Sequence, residues 1–373
     1  RQSRVSTPVD TLCPRNLEEL NLVLNVVVSG PGLIGRKHAK LLLSSERSNL
    51  VAIVAPYSSK NLKFCQECQV PMVETLEEAL DRFSVDAVII ASPNEFHCEQ
   101  ALLCIEKKIP ILVEKPLAIN YEQAWRIFQA SEYFSTPVLV GHHRTHGAGL
   151  SMVKAFIESS LFGRPVSFHG AALFYKPDDY FSDGNWRTRV GGGPILINMI
   201  HDVGVIQYLY GAIRSVWAYS SNFQRNFEVE DTAIFGFVFE NGALGSFVLS
   251  DSAASNRSWE MTTGENTAYP YFPNVDCYHF SGSNGSLDFP TLRVRTYASD
   301  VQPSWWKDFE SSKIEMQKID PLLQQLRHFE DVVLGFDQPL VPASIGLSNV
   351  LVIQAGSVAQ FQRLGVLRPL KGF

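Results

Sequence analysis

Gly30-Pro31-Gly32-Leu33-Ile34-Gly35 constrains this chain more than any other segment, because it sits between an apolar run of strand formers, Leu22 to Val28, and a helical stretch, Leu33 to Leu43. A glycine triplet of this spacing is common by chance. A strand, a tight turn and a helix start in that order are what binding a dinucleotide pyrophosphate requires. The first glycine permits the turn, the second lets backbone approach the phosphates, and the third lets the helix pack on the strand. The first N–H groups of the helix, at Leu33, Ile34 and Gly35, then offer free donors and a positive dipole end.

The chain has 373 residues, 45% of them hydrophobic, which is enough for two domains with separate cores. Its net charge of −6 leaves no basic footprint for nucleic acid, and no Lys/Arg-rich run suggests a membrane surface. No apolar stretch approaches the roughly 18 residues that would span a bilayer. Residues 1–21 read as a polar tail without the apolar core of a secretory signal. A start at Arg1 and not Met fits a chain from which something upstream is missing. Cys13, Cys65, Cys68, Cys98, Cys104 and Cys277 are scattered, as expected for reduced thiols in a cytoplasm. The Cys65/Cys68 pair has no second pair to complete a metal site.

From residue 22 to 144 short apolar strands alternate with helices. Strands are expected over Leu22–Val28, Leu50–Ala55, Asp86–Ala91, Ile111–Val113 and Val138–Gly141, and helices over Leu76–Phe83, His97–Lys107 and Tyr121–Tyr133. This pattern predicts a doubly wound parallel sheet of the Rossmann type, with ligands at the carboxyl ends of the strands. Residues 29–35, 55–60, 92–97, 114–116 and 141–144 then form the rim of one crevice. From 145 to 373 the pattern becomes long alternating strands, with Asn241-Gly242 as a hairpin signal, so an α+β domain with a large, mainly antiparallel and open sheet is expected. One helix from Pro194 to Tyr210 interrupts it, with Gly211 as its cap, and a last helix is expected over Ile345–Leu364.

Several residues on this frame could do chemistry. Lys115, closing the fourth strand in Glu114-Lys115-Pro116, can reach over the reactive end of a dinucleotide and favour an alkoxide-like oxygen. On the otherwise apolar helix, Asn198, His201 and Asp202 stand at spacings that share one face, and a His there can exchange the proton that accompanies a hydride while its neighbours orient it. Arg144 is a candidate anchor for a substrate oxygen or carboxylate. Tyr175, Trp186 and Arg187 mix flat rings with hydrogen-bonding groups, which suits a polyhydroxylated ring. His142, His143 and His146 cluster without an acidic or thiol partner at ligand spacing, and no metal is expected.

In order along the chain, Gly30–Gly35, Ala91-Ser92-Pro93-Asn94 with His97, Glu114-Lys115-Pro116, and Gly191-Gly192-Gly193 leading to His201 resemble the glucose-fructose oxidoreductase and inositol dehydrogenase family, Gfo/Idh/MocA. The resemblance covers nearly the whole chain after Leu22. It implies a nicotinamide cofactor, sugar or cyclitol oxidation, a catalytic Lys115 and His201, a second domain that builds homodimers or homotetramers, and a cis bond before Pro116. It also implies cofactor contacts from Ser92, Pro93, Asn94, His97, Glu114 and Lys115. Two departures stand out. The family's acid four residues before the His is Ile197 here, which leaves Asn198 and Asp202 to orient the imidazole. The acid expected about twenty residues after the glycine turn is Ala55. Arg36, Tyr57, Ser58, Ser59 and Lys60 are near enough in sequence to meet a 2′-phosphate, which tilts the cofactor from NAD toward NADP.

The reading that follows is an NAD(P)-dependent oxidoreductase acting on a CH–OH group of a sugar, sugar acid or cyclitol. The alternatives are a non-catalytic NAD(P)-binding regulator of the same architecture and a glycosidase that recycles its cofactor.

Overall fold

A computed structural model describes residues 23–182, 185–316 and 319–358; the polar tail and Cys13 lie outside the described residues. Strands β1 (Leu24–Ser29), β2 (Ser48–Val54), β3 (Met72–Val73), β4 (Ala87–Ile90), β5 (Ile111–Glu114) and β6 (Val138–Gly141) form one parallel sheet in the order β3-β2-β1-β4-β5-β6. Its strands are buried on both faces, as continuous Val/Ile/Leu runs require. The strand order reverses between β1 and β4, so the glycine turn after β1 and the loop after β4 flank the crevice where such sheets bind ligands.

Helices α1 (Leu33–Leu43) and α2 (Ser59–Cys68) pack through Ala39, Leu42, Phe64 and Cys65 on one face of this sheet. On the other, α3 (Leu76–Arg82), α4 (His97–Glu106) and α5 (Tyr121–Phe134) bury Leu76, Ala101, Ile105, Ala124 and Ile127. Start signals are local and legible: Ser58, Thr75 and Asn120 each accept a backbone N–H of the first turn of their helix.

The second sheet has eight strands: β7 (Pro165–Leu173), β8 (Ile213–Ser221), β9 (Thr232–Phe239), β10 (Leu244–Ser250), β11 (Tyr278–Gly282), β12 (Gly285–Phe289), β13 (Arg293–Thr296) and β14 (Glu310–Lys313). The order is β14-β13-β12-β11-β7-β10-β9-β8, antiparallel except where β10 meets β7. Its inner face carries Phe168, Phe235, Phe237, Phe247, Tyr278 and Phe280 against α6 (Ala148–Ile157) and α8 (Ile200–Tyr210). The outer face is open, with Trp217, Tyr219, Ile234 and Leu244 exposed. The Asn241-Gly242 hairpin forms between β9 and β10, and Gly242 is the residue of the pair with positive φ, at 87°.

The division at 144/145 does not separate two cores. After the second sheet, α10 (Pro321–Val333) and α11 (Ala343–Val358) return to the first. Leu326 and Phe329 of α10 join the α1 layer, while Ala343 and Val350 join the α5 layer. The link between them pairs with the edge strand, Val140 N–H donating to Val341 O at 2.8 Å. Such cover removes an exposed edge. The last helix begins near its expected start, and its expected end at Leu364 lies outside the described residues. Among the described residues no helix is long and apolar enough to cross a membrane, and Cys65, Cys68, Cys98, Cys104 and Cys277 are free and buried.

A Cβ placed on Gly35 would lie 2.0 Å from Gly30 O, whereas one on Gly32 meets nothing within 4 Å. Gly35→Ala should therefore lower the melting temperature by about 5 °C or more, and Gly32→Ala should leave it within about 1 °C of wild type, in thermal melts without ligand.

Candidate active site

The cradle after β1 is built from the glycine conformations. Gly30 has φ 88° and its Cβ would strike Ser92 Cα at 2.4 Å, so the β1 and β4 rims approach backbone to backbone. Gly32 caps α1 without a side chain, there is no acid in the first turn, and open space lies over the cap. An unscreened helix N-terminus facing a space that any Cβ would narrow fits a pyrophosphate. Gln100 Oε1 accepts from Ser29 Oγ at 3.0 Å and Ser92 Oγ at 2.9 Å, tying the two rims together.

Arg36 bridges this turn to the next rim segment. Its Nε donates to Pro31 O at 2.9 Å, a second nitrogen lies 3.4 Å from Lys60 O, and the guanidinium stacks 4.1 Å over Phe64. Tyr57 is exposed, while the Ser58 hydroxyl is occupied in capping α2.

At the end of β5, Glu114 is buried and accepts from His38 Nε2 at 2.8 Å. Burial opposes its charge, but the His38 hydrogen bond and the charges of His38, His143 and Lys115 outweigh it and hold the carboxyl below its usual range. The Lys115–Pro116 bond is cis, as the resemblance implies. Burial lowers the Lys115 ammonium pKa, with Glu114 pulling the other way and Arg144 reinforcing the shift. The side chains of two expected cofactor contacts have protein partners in this structure. His97 is fully buried and both ring nitrogens face backbone carbonyls, Pro116 O at 2.9 Å and Ser92 O at 3.0 Å, so it clamps two rim loops and does not reach the cleft. Glu114 likewise spends its carboxylate on His38.

The second half of the site comes from the segment before and within α8. Gly193, at φ 80°, presses against the Glu230 carboxylate, which accepts the Ile195 N–H at 2.8 Å and caps the segment. Burial pushes Glu230 up to about 7. Residues Ile195–Met199 form a π-helical turn before the regular helix. Such turns cost regular geometry and cluster at functional positions. The turn carries Asn198, whose Oδ1 accepts from Lys176 Nζ at 2.8 Å.

His201 is partly exposed, yet its Nδ1 is buried without a hydrogen-bond partner. The ring lies edge-on to His143, with centroids 5.8 Å apart. Burial, then the positive charge of Lys115, drives its pKa well below the ordinary histidine value; the imidazole is neutral. The influence of Lys115 on His201 means that the β5 ammonium and the α8 imidazole share one electrostatic environment. His143 is similarly pushed down to about 4, first by burial.

Asn198, His201 and Asp202 do not form the single cluster expected from their spacing. Asp202 turns away into the core, where its Oδ1 receives Arg144 at 3.2 Å and the Tyr278 hydroxyl. Burial raises its carboxyl to about 6 against the pull of Arg144. Neither Asn198 nor Asp202 donates to or accepts from His201 among the described residues; the pairings above explain why. Arg144 is 5% exposed, pairs with Glu260 at 2.6 Å as well as Asp202, and lies 4.8 Å over Trp259. It is a buried strut beneath the site, not a free anchor. Tyr175 and Trp186 are exposed, and Arg187 stacks 4.1 Å over Tyr180 while binding its carbonyl, so the guanidinium organises the loop. Among the described residues no group of three or more His, Cys, Asp or Glu is arranged to hold a metal ion.

Residues 24–142 match the model of the oxidoreductase family with an NAD-binding Rossmann fold, and residues 150–288 match the GFO/IDH/MocA C-terminal domain. The chain belongs to the Gfo/Idh/MocA family. It is 24% identical over 188 residues to 2,7-anhydro-N-acetylneuraminate hydratase of Mediterraneibacter gnavus, covering 50% of this chain and 49% of that protein. It is 29% identical over 192 residues to inositol 2-dehydrogenase of Renibacterium salmoninarum, covering 50% and 55%. The chain thus spans about half the length of these curated relatives. Against myo-inositol 2-dehydrogenase of Thermotoga maritima it is 26% identical, covering 88% of this chain and 94% of that one. Among solved structures, a putative NADPH-dependent oxidoreductase of Desulfitobacterium hafniense superposes with TM-score 0.75 at 22% identity, covering 91% and 96%. The WlbA dehydrogenase of Bordetella pertussis, solved with NADH and UDP-GlcNAcA, gives TM-score 0.70 at 20% identity, covering 94% and 100%.

If Arg144 is a strut, removing it strands Asp202 in the core. Arg144→Met should lower the free energy of unfolding by about 3–5 kcal/mol in urea titrations; unchanged stability would contradict the assignment.

Proposed function

We propose that this protein is an NAD(P)-dependent dehydrogenase or reductase acting on a CH–OH group of a sugar, sugar acid or cyclitol, with Lys115 and His201 as its catalytic pair. What supports the reading is Lys115 directly after β5 at the rim of a dinucleotide fold, together with a His201 ring that lies edge-on to His143 and is kept neutral first by burial and then by the Lys115 charge. The nicotinamide supplies the acceptor or donor of hydride. Neutral His201 takes the hydroxyl proton as the carbon is oxidised, and returns it in reduction. Lys115 stabilises the negative charge that develops on the same oxygen, in surroundings where little water competes for it. Tyr175, Trp186 and Arg187 border the substrate side, and Asn198 contacts the substrate directly.

For the cofactor, the acid-free rim at 55–60 and the docked Arg36 support a preference for NADP with NAD tolerated. The outer face of the second sheet supports a homodimer or homotetramer: its apolar half, Trp217, Tyr219, Ile234 and Leu244, lies beside a charged half of Asp288, Arg293 and Arg295. A second copy brought face to face by a twofold axis would bury the first and pair the second.

With myo-inositol, scyllo-inositol, D-glucose and D-gluconate offered with NAD+ or NADP+, turnover should accumulate reduced cofactor stoichiometrically. Lys115→Ala and His201→Ala should each cut kcat by about 100-fold or more while the cofactor still binds. Wild-type rates in both variants would remove the mechanism. Cofactor binding without turnover would favour the regulator, and turnover without accumulation would favour a recycled cofactor.

A further inference from the structure

We infer that Lys176 is a positioning residue that fixes the side-chain amide of Asn198 so that its NH2 group serves a substrate oxygen beside His201. The inference rests on the oxidoreductase reading and names how one substrate atom is recognised.

Lys176 lies between β7 and the short helix α7 (Asp178–Ser182), and its side chain is 12% exposed. Its Nζ donates to Asn198 Oδ1 at 2.8 Å and lies 3.5 Å from Asp251 Oδ2. An ammonium has three donors and no acceptor, so only the oxygen of an amide can face it. The orientation of Asn198 is therefore decided by the chemistry of its neighbour. Its Nδ2 meets no acceptor among the described residues. Asn198 precedes His201 by three residues, across the junction of the π-helical turn and α8.

The ammonium is itself held. Asp251 pairs with Arg225 Nε at 2.9 Å, Arg225 donates to Lys176 O at 2.7 Å, and the Lys176 N–H donates to Asp251 O at 2.8 Å. Tyr180 lies 4.9 Å beneath the Lys176 charge. So costly an arrangement of buried charge around one amide is unnecessary for a helix stripe that merely meets water. It makes position 198 a donor and not an acceptor. The substrate must offer an oxygen lone pair there, from a hydroxyl, carbonyl or carboxylate adjacent to the reacting carbon, and an analogue lacking that oxygen is rejected.

The test uses the compound of the four-member panel with the highest kcat/KM. Asn198→Ala should raise its KM about tenfold, the order of one hydrogen bond, with a smaller change in kcat and none in cofactor Kd. Lys176→Met should do the same in the wild-type background, but change KM by less than about twofold in the Asn198→Ala background. Lys176→Arg should restore KM to within about threefold. A Lys176→Met effect of equal size in both backgrounds would mark a purely structural lysine and overturn the inference. Should Lys176→Met fail to fold, Asn198→Asp decides: it keeps the pairing with the ammonium and replaces the cleft-facing donor by an acceptor, so wild-type KM overturns the inference and a rise of about tenfold or more supports it. Absence of turnover by wild type with every compound and both cofactors overturns the oxidoreductase reading and this inference with it. Turnover with additive effects overturns this inference alone.

Discussion

The Arg144–Asp202 ion pair is the constraint on which the site depends. Arg144 follows the last strand of the parallel sheet, Asp202 belongs to α8, Tyr278 to β11 and Glu260 to the short helix after β10. The guanidinium thus ties α8 and the short helix after β10 to the segment after β6, and β11 joins them through Asp202. A buried pair of this kind adds little net stability over apolar residues, but removing one partner is expensive. Its effect is geometric: it ties α8 to the segment that follows β6, and His201 is the residue before Asp202.

The same packing sets the charge states. Lys115 and His201 are held where water is scarce, and the Lys115 charge disfavours protonation of the imidazole. A base must be neutral and an electrostatic stabiliser must be cationic at the same pH. Burial lowers both pKa values from very different starting points, helped by Arg144 at Lys115 and by the Lys115 charge at His201, so that neutral imidazole and ammonium coexist. Glu114 contributes from below: its carboxylate is kept ionised by His38 and opposes the loss of charge on Lys115.

Much of the fold was legible in the sequence because its signals are local. Apolar runs mark β1, β4, β5 and β6, and a strand, glycine turn and helix in that order mark the cradle. β12 and β14 escape such reading, since Gly285 and Ser286 open the one and Glu310–Lys313, fully exposed, carries no apolar signal at all. Helix α10 was not among the expected helices, although Asp320 caps it and Pro321 takes its first position, and its return to the first sheet has no local signal. Lys115 and His201 could be singled out by motif and context. Their supports could not: Arg144 and Asp202 are 58 positions apart, Asp202 and Tyr278 are 76, and Lys176 and Asn198 are 22. No spacing rule joins residues whose proximity exists only after the chain has packed. Shared helix-face spacing misled for the same reason, because Asp202 had a stronger partner in the core than in the cleft.

The most direct measurement is an NMR titration of the His201 ring nitrogens in the folded protein, with Lys115→Met alongside. Neutral imidazole well below the ordinary histidine value of about 6.5, with an upward shift when the Lys115 charge is removed, is the predicted result. Protonation of His201 near or above that ordinary value, or no response to Lys115→Met, would contradict the convergence of the two groups on one site.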